Sequence, residues 1–121
     1  MKAFYRHFFG EMVLVDLKYS NGRLSSMADF ITHPLLKPNT VERRLYQEVL
    51  VAQIEEKGNT LVVAPTALGK TVIAAMLTAR MLEKNPTKKV LFLAPTKPLA
   101  VQHQVRMREF LTLHPETIIV L

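Results

Sequence analysis

From residue 40 onward, short apolar runs alternate with segments in which apolar residues recur every three or four positions. The runs at residues 60–64, 89–94 and 117–121 predict three buried β-strands. Strands that alternate with helices are typical of right-handed βαβ crossovers and of a parallel sheet covered by helices on both faces. The pattern therefore predicts an α/β fold.

Helical periodicity predicts three helices around these runs. Thr40 is expected to cap the first helix, and Gly58 is expected to end it. The second helix follows Lys70 and is broken by the Asn-Pro pair at residues 85–86, and the third stops near residues 114–115. The apolar positions of the three helices are, in order, Val41, Leu45, Val49 and Ala52; Val72, Ile73, Ala75, Met76 and Ala79; and Leu99, Val101, Val105 and Phe110.

The first 26 residues lack the regular pattern of apolar runs and helical periodicity that the chain shows from residue 40 onward. Residues 12–15 predict a strand, and the Asn-Gly pair within residues 20–23 indicates a turn. No motif occurs in this stretch. We expect an N-terminal extension of unknown role over residues 1–26 and one organised unit over residues 27–121.

The segment between the first run and the second helix predicts a phosphate-binding loop. Its residues are Ala64, Pro65, Thr66, Ala67, Leu68, Gly69, Lys70 and Thr71. A strand, a tight loop ending in Gly-Lys-Thr and a helix, in that order, are the context in which such a match indicates a nucleotide site. Backbone N–H groups and the helix N-terminus would hold phosphate oxygens, with Lys70 on the β- and γ-phosphates and Thr71 on Mg²⁺. The alternative is a strand–turn–helix corner with a solvated lysine.

A second corner follows the run at residues 89–94. Pro95, Thr96 and Lys97 leave this run and enter the third helix, which carries Gln102. Loops after parallel strands emerge at the same edge of a sheet, so a hydroxyl and a lysine beside a nucleotide site suit contact with a nucleic-acid backbone. A turn followed by a helix cap explains the same residues.

Composition restricts the remaining choices. The formal net charge of +6 permits a polyanionic partner without identifying one. The chain has no cysteine, so disulfides and thiolate metal sites are excluded, and its four histidines are scattered. No apolar run reaches the roughly 18 residues needed to span a bilayer, and no signal-peptide core is evident. We expect a cytoplasmic location and no membrane contact.

Three blocks together resemble the start of a superfamily 2 helicase motor, in particular archaeal Hef helicase–nucleases and Fanconi anaemia M-type DNA translocases. Residues 33–40, followed by Arg43, Arg44, Leu45, Tyr46 and Gln47, are similar to the block that recognises adenine. Residues 64–71 are similar to helicase motif I, in which alanine is usual at the first position, whereas Ala67 departs from the usual glycine. Residues 93–99 with Gln102 are similar to motif Ia.

The resemblance implies a RecA-like P-loop domain, ATP with Mg²⁺ as cofactors and DNA as the partner. Gln47 would bond the Watson–Crick edge of adenine, with Arg44 beside it. Pro95, Thr96, Lys97 and Gln102 would contact the DNA backbone, independently of sequence. A solvated helix face is the plain reading of Arg44 and Gln47, and likewise of His103, Arg106 and Arg108 on the third helix.

ATP hydrolysis by this family needs a carboxylate pair on a later strand and an arginine finger. The two aspartates, Asp16 and Asp29, both precede the phosphate loop, and neither is followed by Glu. We therefore expect an incomplete RecA-like domain, cut off before helicase motif II, that does not hydrolyse ATP alone. A non-catalytic nucleotide- or DNA-binding module completed by a separately encoded chain, a relic, and another P-loop class such as a small-molecule kinase or transporter ATPase stay open.

Overall fold

The computed structural model describes residues 2–6, 12–16, 29–65 and 69–121. Strands β1 (Lys2–Arg6) and β2 (Met12–Asp16) form an antiparallel hairpin in which Lys2 pairs with Asp16 and Arg6 with Met12. The strand predicted at residues 12–15 is confirmed. The turn predicted at residues 20–23 lies outside the described residues.

Three helices make up the regular structure of the region from residue 29 onward. They are α1 (Leu45–Lys57), α2 (Lys70–Lys84) and α3 (Lys97–Phe110), and a short 3-10 helix follows at Pro115–Thr117. Helix α2 contacts both α1 and α3. The predicted ends of α1 at Gly58 and of α2 at Asn85 are confirmed, whereas α3 ends at Phe110, earlier than expected.

The core lies where the helices meet the segment that precedes α1. Burial of these apolar side chains, at roughly 25 cal/mol per Å², is the main contribution that holds the helices together. The buried apolar residues are Leu36, Val41, Leu50, Val51, Ile73, Ala75, Met76, Ala79, Met107, Phe110 and Leu111.

An ion-pair cluster also joins α1 to α2. The Glu55 carboxylate accepts hydrogen bonds from Arg80 at 2.8 Å and from Lys84 at 3.1 Å. Burial acts to raise the pKa of Glu55, but the two hydrogen bonds and the two positive charges outweigh it and lower that pKa below its usual value. The cluster therefore stabilises the fold above the ordinary carboxylate range, and this contribution is lost as the pH falls through the lowered pKa.

Helix α1 begins four residues later than predicted, because the residues before it are held in another structure. The N–H of Ile31 donates to the Val41 carbonyl at 2.8 Å, and the N–H of Arg43 donates to the Asp29 carbonyl at 2.6 Å. The predicted cap, Thr40, donates its hydroxyl to the Lys37 carbonyl within a turn instead. Backbone groups used in this way cannot begin a helix, so the prediction of Thr40 as the N-cap is wrong.

The predicted parallel sheet is not formed within the described residues. Residues 60–64, 89–94 and 117–121 carry no strand, and no backbone hydrogen bond links the first two to another described segment. Most of their apolar side chains are exposed, and Leu93 keeps 81% of its accessible surface, whereas Val62 and Ile118 pack partly against the core. A strand exists only with a hydrogen-bonded neighbour, and none is available here for these segments.

The segment before α1 caps the C-terminal end of α3. The Lys37 ammonium donates to the Arg108 carbonyl at 2.7 Å, and the Lys37 N–H donates to the Phe110 carbonyl, also at 2.7 Å. Both acceptors belong to the last turn of α3, whose carbonyls lack partners within the helix. An isolated β-bridge between Leu36 and Leu111 continues the contact. Lys37 therefore acts as a C-terminal cap for α3.

Two side chains of α3 hold the polypeptide that follows it. Arg108 donates from Nε to the Pro115 carbonyl at 3.1 Å and from its terminal nitrogen to the Ile118 carbonyl at 2.9 Å. Gln104 donates to the same Ile118 carbonyl at 2.7 Å. The interpretation of Arg108 as part of a solvated face is wrong, because its donors are used within the fold.

Replacing Arg108 by alanine should lower the free energy of unfolding by about 1–2 kcal/mol, since two charge-assisted hydrogen bonds to backbone carbonyls are lost. Urea denaturation followed by circular dichroism measures this change. Lys88→Ala is the matched control, because Lys88 is exposed and lies in the turn after α2. Equal stability of the two variants would contradict the role given to Arg108.

None of the helices described here is both long and apolar enough to cross a membrane.

Candidate nucleotide-binding site

The N-terminus of α2 has the properties of an anion-binding position. Gly69, the residue before the helix, has a left-handed backbone with φ of 68° and ψ of 48°. Among the described residues, no side chain caps α2 and no acidic residue lies in its first turn. The first N–H groups of a helix lack intrahelical partners and carry the positive end of its dipole, so they favour a negatively charged ligand.

Lys70, the first residue of α2, is exposed and folds back over the loop. Its ammonium donates to the Ala64 carbonyl at 3.0 Å. This bond spans the two ends of the predicted phosphate loop and leaves donors of the ammonium for a ligand. Thr66, Ala67 and Leu68 lie outside the described residues.

The structure brings Gln47 of α1 against Gly69. Gln47 is 3% exposed, and a Cβ built on Gly69 would lie 2.6 Å from its Nε2 atom. Such a separation is too short for any side chain, so only glycine permits this approach. The residue that the sequence assigns to base recognition is therefore in contact with the end of the segment assigned to phosphate binding.

Arg44 and Tyr46 surround Gln47. The Nε2 of Gln47 donates to the Tyr46 hydroxyl at 3.5 Å. Arg44 is exposed and pairs with Glu42 at 3.4 Å. A hydrogen bond and a charge interaction with Tyr46 raise the pKa of Arg44, burial opposes them slightly, and Glu42 adds to the rise. Arg44 therefore carries its positive charge at any physiological pH.

A cavity of about 320 Å³ opens beside these residues. Its lining includes Tyr46, Gln47 and Gly69, together with Arg106 and Phe110 of α3. The volume falls in the lower part of the range of small-molecule sites, and the lining combines aromatic and polar groups as such sites do. The arrangement can hold a planar, polar ring next to the N-terminus of α2.

Thr71, the second residue of α2, is half-buried and supplies a hydroxyl at the same helix end. Within residues 29–65 and 69–121, no group of three or more acidic, histidine or cysteine side chains could hold a metal ion. A threonine directly after the lysine of a phosphate loop is a position that ligates Mg²⁺ together with the phosphates of a nucleotide. The hydroxyl of Thr71 therefore fits Mg²⁺ that arrives with a nucleotide.

The second predicted corner begins α3. Thr96 is the N-cap, and its hydroxyl accepts a hydrogen bond from the Leu99 N–H at 3.4 Å. Pro95, Lys97 and Gln102 are exposed. The alternative of a turn with a helix cap is thus what the structure shows for Thr96, while the ammonium of Lys97 lies at a helix N-terminus open to solvent.

The sequence profile of the DEAD/DEAH box helicases matches residues 44–120, which is well over half of the chain. The matched range begins at Arg44 and includes Gln47, the whole loop at residues 64–71 and the corner at residues 95–102. The chain belongs to the DEAD/DEAH box helicase family. The alternative of a small-molecule kinase or a transporter ATPase is therefore wrong, and the resemblance to the superfamily 2 helicases is confirmed.

Individual helicases give the same result. A Methanocaldococcus jannaschii protein, provisionally named an ATP-dependent RNA helicase, is 47% identical over 92 residues, 76% of this chain and 12% of its own length. The Drosophila melanogaster DEAD-box ATP-dependent DNA helicase Fancm is 44% identical over 70 residues, 58% of this chain and 5% of its own. The Fanconi anemia group M protein homolog of Mus musculus is 54% identical over 44 residues, 36% of this chain and 2% of its own.

The chain thus spans an eighth or less of these helicases, and no solved structure matches it. The domain of this helicase family is RecA-like, with a P-loop, and the described residues supply its helices without its sheet.

The sequence did not indicate every group that lines the cavity. Arg106 was read as part of a solvated face, but it lines the cavity beside Gln47. Its spacing on α3 gives no signal, since only the folding of the chain brings it to the cavity. His103, read in the same way, packs its ring against Phe92, with the ring centres 4.7 Å apart.

Proposed function

We propose that this chain is the ATP-binding front of an ATP-dependent DNA helicase or translocase of the Hef type. The observation that carries the proposal is the contact between Gln47 and Gly69. It joins a group able to read a base to a helix N-terminus able to hold phosphates. Membership of the DEAD/DEAH box helicase family supports ATP with Mg²⁺ as the ligand.

In this proposal each end of the nucleotide has its own partners. The backbone of residues 64–69 and the ammonium of Lys70 would hold the phosphates, and the hydroxyl of Thr71 would ligate Mg²⁺. Gln47 donates to and accepts from the Watson–Crick edge of adenine, and the guanidinium of Arg44 lies nearby. The Lys70 ammonium exchanges its bond with the Ala64 carbonyl for a stronger bond with a phosphate oxygen.

Equilibrium binding of ATP to the intact 121-residue chain, with and without Mg²⁺, tests the nucleotide site. ATP should bind, Mg²⁺ should tighten its binding, and the binding should depend on Lys70. Failure of ATP to bind, or binding that is indifferent to Lys70, would refute the proposal.

We further propose that residues 95–102 contact the backbone of DNA. Lys97 is exposed at the start of α3, where its ammonium suits a phosphate. The Drosophila melanogaster relative is named a DNA helicase, whereas the Methanocaldococcus jannaschii relative is named an RNA helicase. Backbone contacts carry little base information, so binding should be independent of sequence. Single strands of DNA and RNA with one shared sequence compare the two nucleic acids directly.

Lys97→Ala should weaken binding of single-stranded DNA severalfold and reduce the slope of log affinity against log salt by roughly one phosphate contact. Fluorescence anisotropy of a labelled oligonucleotide between 50 and about 200 mM salt measures both quantities. Lys88→Ala removes the same charge outside the corner and should have a smaller effect. If the two variants behave alike, only diffuse positive charge attracts DNA, and the assigned contact is wrong.

The absence of an Asp-Glu pair after residue 71 supports a second part of the proposal, in which this polypeptide does not hydrolyse ATP alone. Hydrolysis would need a carboxylate that orients Mg²⁺ and water, and an arginine finger. The alternative is a non-catalytic nucleotide- or DNA-binding module, completed by a partner chain, or a relic. The division into an extension at residues 1–26 and a motor segment at residues 27–121 belongs to the same proposal.

A further inference from the structure

Arg106 of α3 is held in a fixed position at the cavity beside Gln47. Its guanidinium carbon lies 4.7 Å from the centre of the Phe110 ring, and its terminal nitrogen donates to Glu109 at 2.8 Å. Phe110 is buried in the core, whereas the Arg106 side chain is about half exposed. A guanidinium over a buried ring and paired with a carboxylate presents a planar, charged surface at the cavity.

This surface belongs to the same cavity as the proposed base-reading residue. Arg106 and Phe110 line it together with Tyr46, Gln47 and Gly69. The phosphate-binding elements lie at the N-terminus of α2, whereas Arg106 comes from the last two turns of α3. A planar cation next to a group that can read a base edge suits the face of a purine, because guanidinium groups stack on aromatic rings.

From this arrangement we infer that Arg106 stacks on the adenine base of the bound nucleotide and is a determinant of base affinity. This inference rests on the proposed function, since it concerns the same ligand. Gln47 reads the identity of the base through its edge, and Arg106 binds its face whatever the edge carries. Loss of Arg106 should therefore weaken the binding of every purine nucleotide, whereas loss of Gln47 should weaken the binding of adenine nucleotides in particular.

The test separates the base from the phosphates by using three ligands on the intact chain. Calorimetry gives the affinities for ATP, adenosine and inorganic tripolyphosphate with wild type, Arg106→Ala, Arg106→Lys and the surface control Lys88→Ala. Circular dichroism checks that all variants fold. A cation–π stack corresponds to roughly a 2- to 30-fold change in affinity.

We expect Arg106→Ala to lower the affinities for ATP and adenosine about tenfold and to keep the affinity for tripolyphosphate within about twofold of wild type. Arg106→Lys should resemble the alanine variant, because an ammonium keeps the charge but lacks the planar surface. The inference is overturned if Arg106→Ala loses as much affinity for tripolyphosphate as for ATP, or if it binds adenosine with wild-type affinity. Wild-type affinity of Arg106→Lys for ATP would also overturn it. It is also overturned if wild type binds ATP no more tightly than tripolyphosphate.

A different result would refute the proposed function, namely ATP binding that is unchanged by Lys70→Ala. Adenosine lacks phosphates, so its affinity reports on Arg106 whatever the phosphate loop does. The two failures are therefore distinguishable.

Discussion

Replacing Lys70 by alanine is expected to weaken binding of Mg-ATP by roughly 10- to 150-fold, the value of a hydrogen bond between charged groups expressed as affinity. The effect should be large because the ammonium would contact the part of the ligand with the highest charge density. Among the described residues, the Lys70 ammonium bonds the Ala64 carbonyl at the end of the segment before the loop. Its removal should therefore change the free energy of unfolding by less than about 1 kcal/mol.

Calorimetry with ATP, adenosine and tripolyphosphate identifies where the lost affinity resides. Lys70→Ala should weaken the binding of ATP and of tripolyphosphate by a similar factor and leave the affinity for adenosine unchanged. Lys88→Ala, which removes an exposed lysine in the turn after α2, is the control for a general change in charge. Wild-type affinity for tripolyphosphate in the Lys70 variant would rule out the phosphate role of this residue.

The same variant tests the expectation that the chain does not turn over ATP. Wild type with single-stranded DNA should release phosphate at the background rate. Release above background that disappears in Lys70→Ala would show that the 121 residues contain a sufficient active site, contrary to the proposal. A rate that persists in the variant would come from a contaminating enzyme.

The helices could be predicted from the sequence because each helix satisfies its own hydrogen bonds. Residues 3 to 4 positions apart share one face, so the apolar spacing identifies a helix. It also identified the buried side of α2, since Ile73, Met76 and Ala79 are all in the core. It did not identify the buried side of α1 or α3, because predicted positions such as Leu45 and Val105 are exposed. The core takes Leu50 and Met107 instead. The beginning of α1 was missed because residues 41–43 pair with residues 29–31, a contact that spacing does not reveal.

The three strands predicted after residue 59 were wrong for the opposite reason. An apolar run indicates that a segment suits a sheet, but its hydrogen bonds must come from a distant part of the chain. Residues 89–94 have the composition of a buried strand, yet Leu91 and Leu93 are largely exposed and no ladder forms among the described residues. The contact of Phe92 with His103 shows that the side of this segment next to α3 nevertheless finds a partner.

The residues of the candidate site also differ in whether the sequence alone could identify them. Gly69 and Lys70 belong to a local motif, and the sequence alone identifies them. Gln47 was assigned through a family resemblance, and its approach to Gly69 is a property of the folded chain. Arg106 is separated from Gln47 by 59 positions, so neither a motif nor a period could connect the two.

Replacing Gly69 by alanine is expected to lower ATP affinity about tenfold or more and to destabilise the fold by roughly 1–2 kcal/mol. The stability cost arises because residue 69 has φ of 68°, a conformation that a Cβ disfavours. The affinity cost has another origin, since the added methyl group would lie 2.6 Å from Gln47 Nε2 and must displace that side chain. The amide would then leave the position from which it is proposed to read adenine.

Gly58→Ala separates these two effects. Gly58 also has a positive φ, of 81°, but a Cβ there meets no atom within 4 Å. It should therefore lose similar stability in urea denaturation and keep wild-type affinity for ATP. Combining Gly69→Ala with Gln47→Ala completes a double-mutant cycle, in which the second change should cost little once the amide is displaced. Full additivity of the two losses would mean that Gly69 acts on phosphate binding alone, and the contact with Gln47 would then have no part in recognising the base.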